Sequence, residues 1–299
     1  MALSVLFAVF AACSNALGTV LQRRAALTVP PSQTLRVGLI LDLLRTPVWL
    51  AGILGVTLSA ILQALALAAG SLAVVQPVFI LELPLALLIG GAVFHVHRTR
   101  KAWISVACIA VGLAVFLSCL APAGGRERAP GIWWMPMLLV VGGSGVALVV
   151  AGARRPLGRL RAACLAAAAA LGNALTAALM KSAMGTLTEQ GVSAFLRSWP
   201  TYGFAAVGGV SLVLLGTAMQ AGPLIASQPA LTLTDAVASV LLGVTVYAEQ
   251  PRTGIWLVAA LGGFGLLAYG VFALLRTRCL ADCLQMDEDA PDSMERAAT

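Results

Sequence analysis

Charge is what this chain lacks. Only 10% of its 299 residues are Asp, Glu, Lys or Arg, where a soluble domain carries about 25%, so water cannot be the solvent for most of it. Lysine is nearly missing, at Lys101 and Lys181, and histidine is confined to His95 and His97. No H-E-x-x-H, P-loop or dinucleotide fingerprint occurs, which leaves an enzyme or an ATP-driven pump without its usual parts. The six cysteines form no disulfide framework. Cys13, Cys108, Cys119 and Cys164 lie in apolar segments and Cys279 and Cys283 in the C-terminal tail, so all six read as reduced thiols. No cofactor and no metal site is expected. The net charge of +7 is no nucleic-acid footprint, because the basic residues come in short runs between apolar segments, as loops at a membrane surface do.

Apolar residues make up 60% of the chain and the mean hydropathy is +0.95. A spanning helix needs about 20 mostly apolar residues. Nine stretches qualify, at 3–23, 47–69, 72–94, 102–120, 131–152, 162–186, 201–221, 223–247 and 254–275. The second and third are separated by Gly70 and the seventh and eighth by Gly222-Pro223, where glycine is expected to supply a positive φ and proline to start a helix. Phe10-Ala11-Ala12-Cys13 loosely resembles a lipoprotein cleavage site, yet no positive charge precedes it and Arg23-Arg24 follow, the reverse of a secretory signal. The first segment therefore reads as a permanent helix. The fold class is all-α, a polytopic integral membrane protein that needs the lipid bilayer around it.

The chain repeats itself. Ala69-Gly70-Ser71-Leu72-Ala73-Val74-Val75-Gln76-Pro77 returns as Ala221-Gly222-Pro223-Leu224-Ile225-Ala226-Ser227-Gln228-Pro229, Asn15-Ala16-Leu17 returns as Asn173-Ala174-Leu175, and Arg23 falls on Lys181. Repeat partners lie five spans apart, an odd number, so the copies insert with opposite topology. The expected organisation is a four-helix repeat over 1–122, a linking helix over 131–152, a second four-helix repeat over 162–275 and a disordered acidic tail over 279–299. With the N-terminus outside, 14 basic residues fall on the cytoplasmic side and five on the other. The positive-inside rule then sets N-out and C-in, in the plasma membrane. The Arg-rich, Lys-poor composition points to a bacterial source.

Inverted repeats place binding sites near the bilayer midplane. Asp235 stands mid-segment in the eighth stretch, with Gln228, Thr232 and Ser239 on the same helical face at i−7, i−3 and i+4. A central Asp costs about 2.5–3.5 kcal/mol to insert, so this stripe must face the bundle interior. Interhelical glue is the alternative role. Glu82 occupies the corresponding place in the third stretch, between Pro77 and Pro84, each of which frees a backbone carbonyl. Asn15 and Asn173, repeat-related and mid-segment, and Gln63 on the second stretch complete the candidate substrate and proton-coupling residues. Arg23 and Lys181 read as rim residues whose charged heads snorkel to the surface. Gly142-Gly143-Ser144-Gly145 matches the G-x-S-G of intramembrane serine proteases, but no histidine lies at that depth to act as base. It reads as small-residue helix packing.

Gly18-Thr19-Val20-Leu21-Gln22-Arg23-Arg24-Ala25-Ala26, Pro47-Val48-Trp49-Leu50-Ala51-Gly52 and the two Gln-Pro turns resemble the drug/metabolite transporter superfamily over about residues 1–275. Within it, four helices, one linker and four helices resemble the NIPA-type magnesium transporter-like branch. The resemblance implies two inverted repeats working by alternating access, and the branch name implies Mg²⁺. Two isolated midplane acids make a thin cage for Mg²⁺. The expectation is therefore a proton-coupled secondary transporter of a small metabolite or drug-like solute, and not an enzyme. A divalent-cation transporter is the first alternative and a non-transporting membrane scaffold the second. A homodimer is compatible with this architecture.

Overall fold

The computed structural model describes residues 2–26, 46–93, 99–122, 124–222 and 224–276. The expected acidic tail with Cys279 and Cys283, and the His95/His97 pair, lie outside the described residues. The structure is built from helices α1 (Ala2–Ala26), α2 (Pro47–Ala69), α3 (Leu72–Val93), α4 (Arg100–Leu120), α5 (Gly131–Ala153), α6 (Arg159–Gln190), α7 (Trp199–Ala221), α8 (Leu224–Thr245) and α9 (Ile255–Leu275). A short helix, Val192–Arg197, links α6 to α7. No strand occurs among the described residues.

Eight of these helices, all but α8, are long and apolar enough to cross a membrane. At 22 residues α8 has the same length, about 33 Å at 1.5 Å per residue. Ser227, Gln228, Thr232, Thr234, Asp235 and Ser239 load it with polar side chains. Nine expected spans thus meet eight apolar helices and one spanning-length helix loaded with polar groups. The chain is a polytopic, membrane-embedded helical protein.

Small residues let the helices approach. Apolar contact gains little in lipid, so close backbone packing and interhelical hydrogen bonds must hold the bundle. On α1 and α2, a Cβ at Gly18 would meet the Gly52 carbonyl oxygen at 2.8 Å and one at Gly55 the Ser14 carbonyl oxygen at 3.2 Å. Ser14 Oγ donates to the Gly55 carbonyl at 2.7 Å and Ser59 Oγ to that of Ala11 at 2.8 Å. On α4 and α9, a Cβ at Gly263 would meet the Phe116 nitrogen at 2.6 Å and one at Gly270 the Ile109 nitrogen at 2.8 Å. The expected packing role of Gly142, Gly143 and Gly145 is not met inside the chain, since nothing lies within 4 Å of a Cβ at any of them. That face of α5 points outward.

The packed pairs are α1 with α2 and α3, α6 with α2, α5, α7 and α8, α3 with α8, and α4 with α9. Helix ends gather at two poles. At one, the α2–α3 turn, the 121–130 loop and the 246–254 loop meet, with Arg126 N donating to the Tyr247 carbonyl at 2.7 Å and Arg252 N to that of Leu120 at 2.9 Å. At the other, Gly158 N donates to the Ala221 carbonyl at 2.8 Å. The two turn glycines do not take the expected positive φ. Gly70 has φ −161° and Gly222 φ 173°, both extended. What demands glycine is space. A Cβ at Gly70 would strike the Ser4 side chain, and one at Gly222 would lie 2.6 Å from the Gly158 carbonyl oxygen.

Packing through glycine makes a sharp contrast between the packed and open faces of the α4–α9 pair. Gly112→Leu drives a side chain at the Leu267 nitrogen, which a Cβ alone would approach to 2.5 Å, whereas Gly262→Leu enters open space. Overpacking costs about 1–3 kcal/mol or more. Gly112→Leu should lower the detergent-solubilised melting temperature and broaden the size-exclusion peak, and Gly262→Leu should leave both unchanged.

Candidate functional site

Proline shapes the helix that carries Glu82. Pro77 lies inside α3 and cannot donate to the Ala73 carbonyl. The helix tightens into a 3-10 turn at Phe79–Leu81, and Glu82 opens the second α-helical half. Such mid-helix tightening is a common mark of functional hinges. The Glu82 carboxylate is partly buried, with the Asn15 side chain of α1 beside it. Two of the residues expected from sequence are therefore brought together.

Asp235 is placed at the same level by the crossing of α3 and α8. A Cβ at Gly243 would lie 3.2 Å from the Ala73 Cβ. Seven residues further along each helix, Ile80 and Ala236 share one core cluster. The helices run antiparallel and pack through Leu72–Val78 of α3; continued past that packed segment, the register sets Glu82 at about the level of Thr234 and Asp235. Asp235 Oδ1 is sealed from solvent and has no hydrogen-bond partner among the described residues. One turn on, Ser239 is fully buried and its Oγ is also unpartnered. Ser227, two turns back, repeats the pattern at 1% exposure.

The rest of the expected stripe is altered. Thr232 Oγ1 donates to the Gln228 carbonyl at 3.0 Å, so its hydroxyl is spent on its own helix. Gln228 is half-buried on α8, Asn173 half-buried on α6, and Gln63 half-buried on α2, which packs on α1 and α6. Glu82 has its asparagine. Asp235, its counterpart in the second repeat, has none.

A second constellation closes one pole. Lys181, expected to snorkel, is instead 6% exposed, and Glu249 only 1%. Lys181 Nζ donates to Glu249 Oε1 at 2.6 Å and to the Gly70 carbonyl at 3.1 Å. The same carboxylate accepts from Leu72 N at 2.7 Å and Ala73 N at 3.0 Å, the first backbone donors of α3. It thus caps a helix and meets the positive end of its dipole. The Tyr247 ring lies 4.9 Å from Lys181 Nζ. Its hydroxyl donates to the Ala178 carbonyl and pairs with Ser182 Oγ at 2.8 Å, while Ala129 N donates to that same Ser182 oxygen at 3.1 Å. A cavity of about 490 Å³, lined by Gly70, Ser71, Gly125, Arg126 and Lys181, lies beside the pair.

Sequence reasoning missed Glu249 because a loop acid before Arg252 resembles any surface charge. One signal was available. Lys181 interrupts an apolar segment and needs an acid, and only Asp42, Glu82, Glu127, Glu189, Asp235 and Glu249 precede the tail.

Compared with known proteins, the chain is 33% identical over 289 residues to an uncharacterized protein of Corynebacterium glutamicum, a match covering 92% of this chain and 95% of that one. The chain belongs to that protein's family. Membership therefore extends over nearly the full length of both proteins and not to one helical segment. No family model matches the chain, and no solved structure matches it.

Breaking a buried pair by removing one partner costs about 3–5 kcal/mol. Glu249→Gln should lower thermal stability by an amount in that range, and Lys181→Met on top of it should recover part of the loss by removing the stranded charge. The exchanged pair Lys181→Glu with Glu249→Lys should not recover it. The ammonium would then face the α3 backbone donors and the positive end of the helix. Melting curves of the purified variants decide this, and full recovery by the exchanged pair would reduce the contact to simple charge pairing.

Proposed function

We propose that this chain is a secondary transporter of the drug/metabolite type, moving a small solute by alternating access in exchange for a proton at Asp235. One observation carries the reading. Asp235 Oδ1 is buried mid-helix without a partner among the described residues, whereas the repeat-related Glu82 has the Asn15 side chain beside it. An unpaired buried charge is among the most expensive features a protein can hold. Asp235 is tolerable when it carries a proton or meets a solute, and alternation between the two is coupling.

The helix pairing supports the same reading. Partners α1 with α2 and α3, α6 with α7 and α8, and the cross-pairs α3 with α8 and α4 with α9 are what two inverted four-helix repeats around α5 would produce. In transporters of that design the solute site lies where the repeats meet, beside interrupted helices. Here that place is the α3–α8 crossing, with a 3-10 turn in α3 and Pro229 inside α8. The Lys181–Glu249 pair serves as the seal of one pole. For the divalent-cation alternative, no three His, Cys, Asp or Glu side chains come together among the described residues, so the organic solute is the favoured cargo. The plasma membrane, with N-terminus outside and C-terminus inside, is the proposed location.

Two outcomes are expected. In proteoliposomes screened with labelled amines, carboxylates and sugars under an imposed pH gradient, Asp235→Asn should cut gradient-driven accumulation by roughly 5- to 150-fold, the span of ordinary coupling energies. Glu82→Gln should cut it less, because Asn15 already lies beside that acid. Accumulation by Asp235→Asn equal to the parent's would make Asp235 interhelical glue. For orientation, a reporter active only outside the cytoplasm should work when inserted between Gly124 and Gly125 and stay silent when fused after Arg276. The opposite pattern would invert the topology.

A further inference from the structure

We infer that the solute taken at the α3–α8 crossing is a monovalent organic cation carrying N–H donors, a protonated amine held by Asp235 and Ser239. This rests on the transport reading above and adds its substrate class. The first argument is sign. Glu82 and Asp235 are the acids at the crossing. Lys181, the buried base of α6, is already engaged by Glu249 and the Gly70 carbonyl. Lys181 also packs near the level of Gly243, against which Glu249 sits, about 12 Å along α8 from Asp235. An anionic solute would find no free counter-charge at this depth.

The second argument is hydrogen-bond type. Asp235 Oδ1 and Ser239 Oγ stand one turn apart, both buried and both without a partner among the described residues. A carboxylate oxygen only accepts, and a hydroxyl can accept, so both can be satisfied by a donor-rich group. An ammonium has three donors and no acceptor. It can meet both oxygens at once. A neutral alcohol could supply one donor but would leave the carboxylate charge unbalanced.

The third argument is charge count. Asp235 and Ser239 carry one ionisable group between them, which neutralises one positive charge. A divalent ion there would keep a net charge in a low-dielectric setting and would lack most of its oxygen ligands.

The exchange step balances. The carboxylic acid of Asp235 releases its proton as the ammonium docks, forming a carboxylate–ammonium pair, and takes a proton back when the amine cation leaves. Both loaded states are neutral at the crossing, whereas the empty carboxylate is not. The site therefore reorients loaded with one cation or the other, one proton against one amine cation. Neighbouring titratable groups do not replace Asp235 in this role. From α3 comes Glu82. From α6 come Arg159, Arg161, Cys164 and Glu189 towards its ends, and the paired Lys181. From α7 and α9 come only Tyr202 and Tyr269, which are 64% and 63% exposed.

The test uses the purified full-length protein in detergent with four small probes: butylammonium, tetramethylammonium, butyrate and 1-butanol. In lightly buffered solution, butylammonium should release about one proton per chain on binding, with an apparent Kd that falls about tenfold per pH unit while the empty site is protonated. Tetramethylammonium, equally charged but without N–H donors, should bind roughly tenfold more weakly, the worth of a charged hydrogen bond. Asp235→Asn should abolish proton release, and Ser239→Ala should weaken butylammonium by about fivefold, one ordinary hydrogen bond. Both variants must keep the parent's melting profile without ligand. Asp235-dependent binding of butyrate or butanol, or no response of the folded parent to butylammonium, overturns the amine assignment. The proteoliposome screen separates the two readings. Asp235-dependent flux of an acid or a neutral solute sinks the substrate class and leaves transport standing, while butylammonium binding without flux of any solute sinks transport.

Discussion

One carboxylate holds one pole of this molecule together. Glu249 comes from the loop after α8, yet it caps the first turn of α3, neutralises Lys181 of α6 and packs against Gly125 of the loop before α5. Each bond answers a separate need. The α3 amides have no helical partners of their own. The Lys181 ammonium cannot stay unpaired where it is buried. Gly243 and Gly125 lack side chains because the Glu249 side chain fills the adjacent space. Loss of the carboxylate would therefore strand two amides and an ammonium together.

The same economy of groups runs through the interior. Nearly every other internal hydroxyl is spent locally, as with Ser14 and Ser59 bridging α1 and α2 and Thr176 and Thr232 bonding back along their own helices. Among the described residues the buried, unpartnered side-chain oxygens are those of Ser71, Ser227, Asp235 and Ser239, and the last three stand out because all are on α8. This polar-loaded helix holds most of the buried, unpartnered side-chain oxygens among the described residues. A polar helix that merely glued its neighbours would show the opposite, since glue consists of made hydrogen bonds. The inference about an amine-bearing solute grows from this difference.

The repeated sequence segments carry matching prolines and differ in chemistry. Pro77 and Pro229 sit at matching places within α3 and α8, and the acids follow within a turn or two. The first repeat gives its acid an asparagine partner, and the second leaves its acid open. The Lys181–Glu249 pair is likewise a feature of one repeat. Arg23 stands where Lys181 does, but the loop after α3 reads His95-Val96-His97-Arg98, with no acid to match Glu249.

Hydropathy and periodicity alone determined that the chain is helical and membrane-embedded, because each spanning segment must satisfy its own backbone and its apolar length is written locally. The mid-helix position of Asp235 and Glu82 was equally legible, since depth along a helix follows from counting residues. Partnership was not. That Asn15 reaches Glu82, that Thr232 turns back on its own helix, and that Asp235 finds no donor depend on which helices cross and in what register. Glu249 shows this most clearly. It lies 177 residues from Leu72 and 68 from Lys181, and no local pattern marks a loop glutamate as a buried cap. The extended φ of Gly70 and Gly222 belongs to the same class, for the need for glycine there comes from Ser4 and Gly158. Distant parts of the chain impose these requirements, and only the tertiary structure brings those parts into contact.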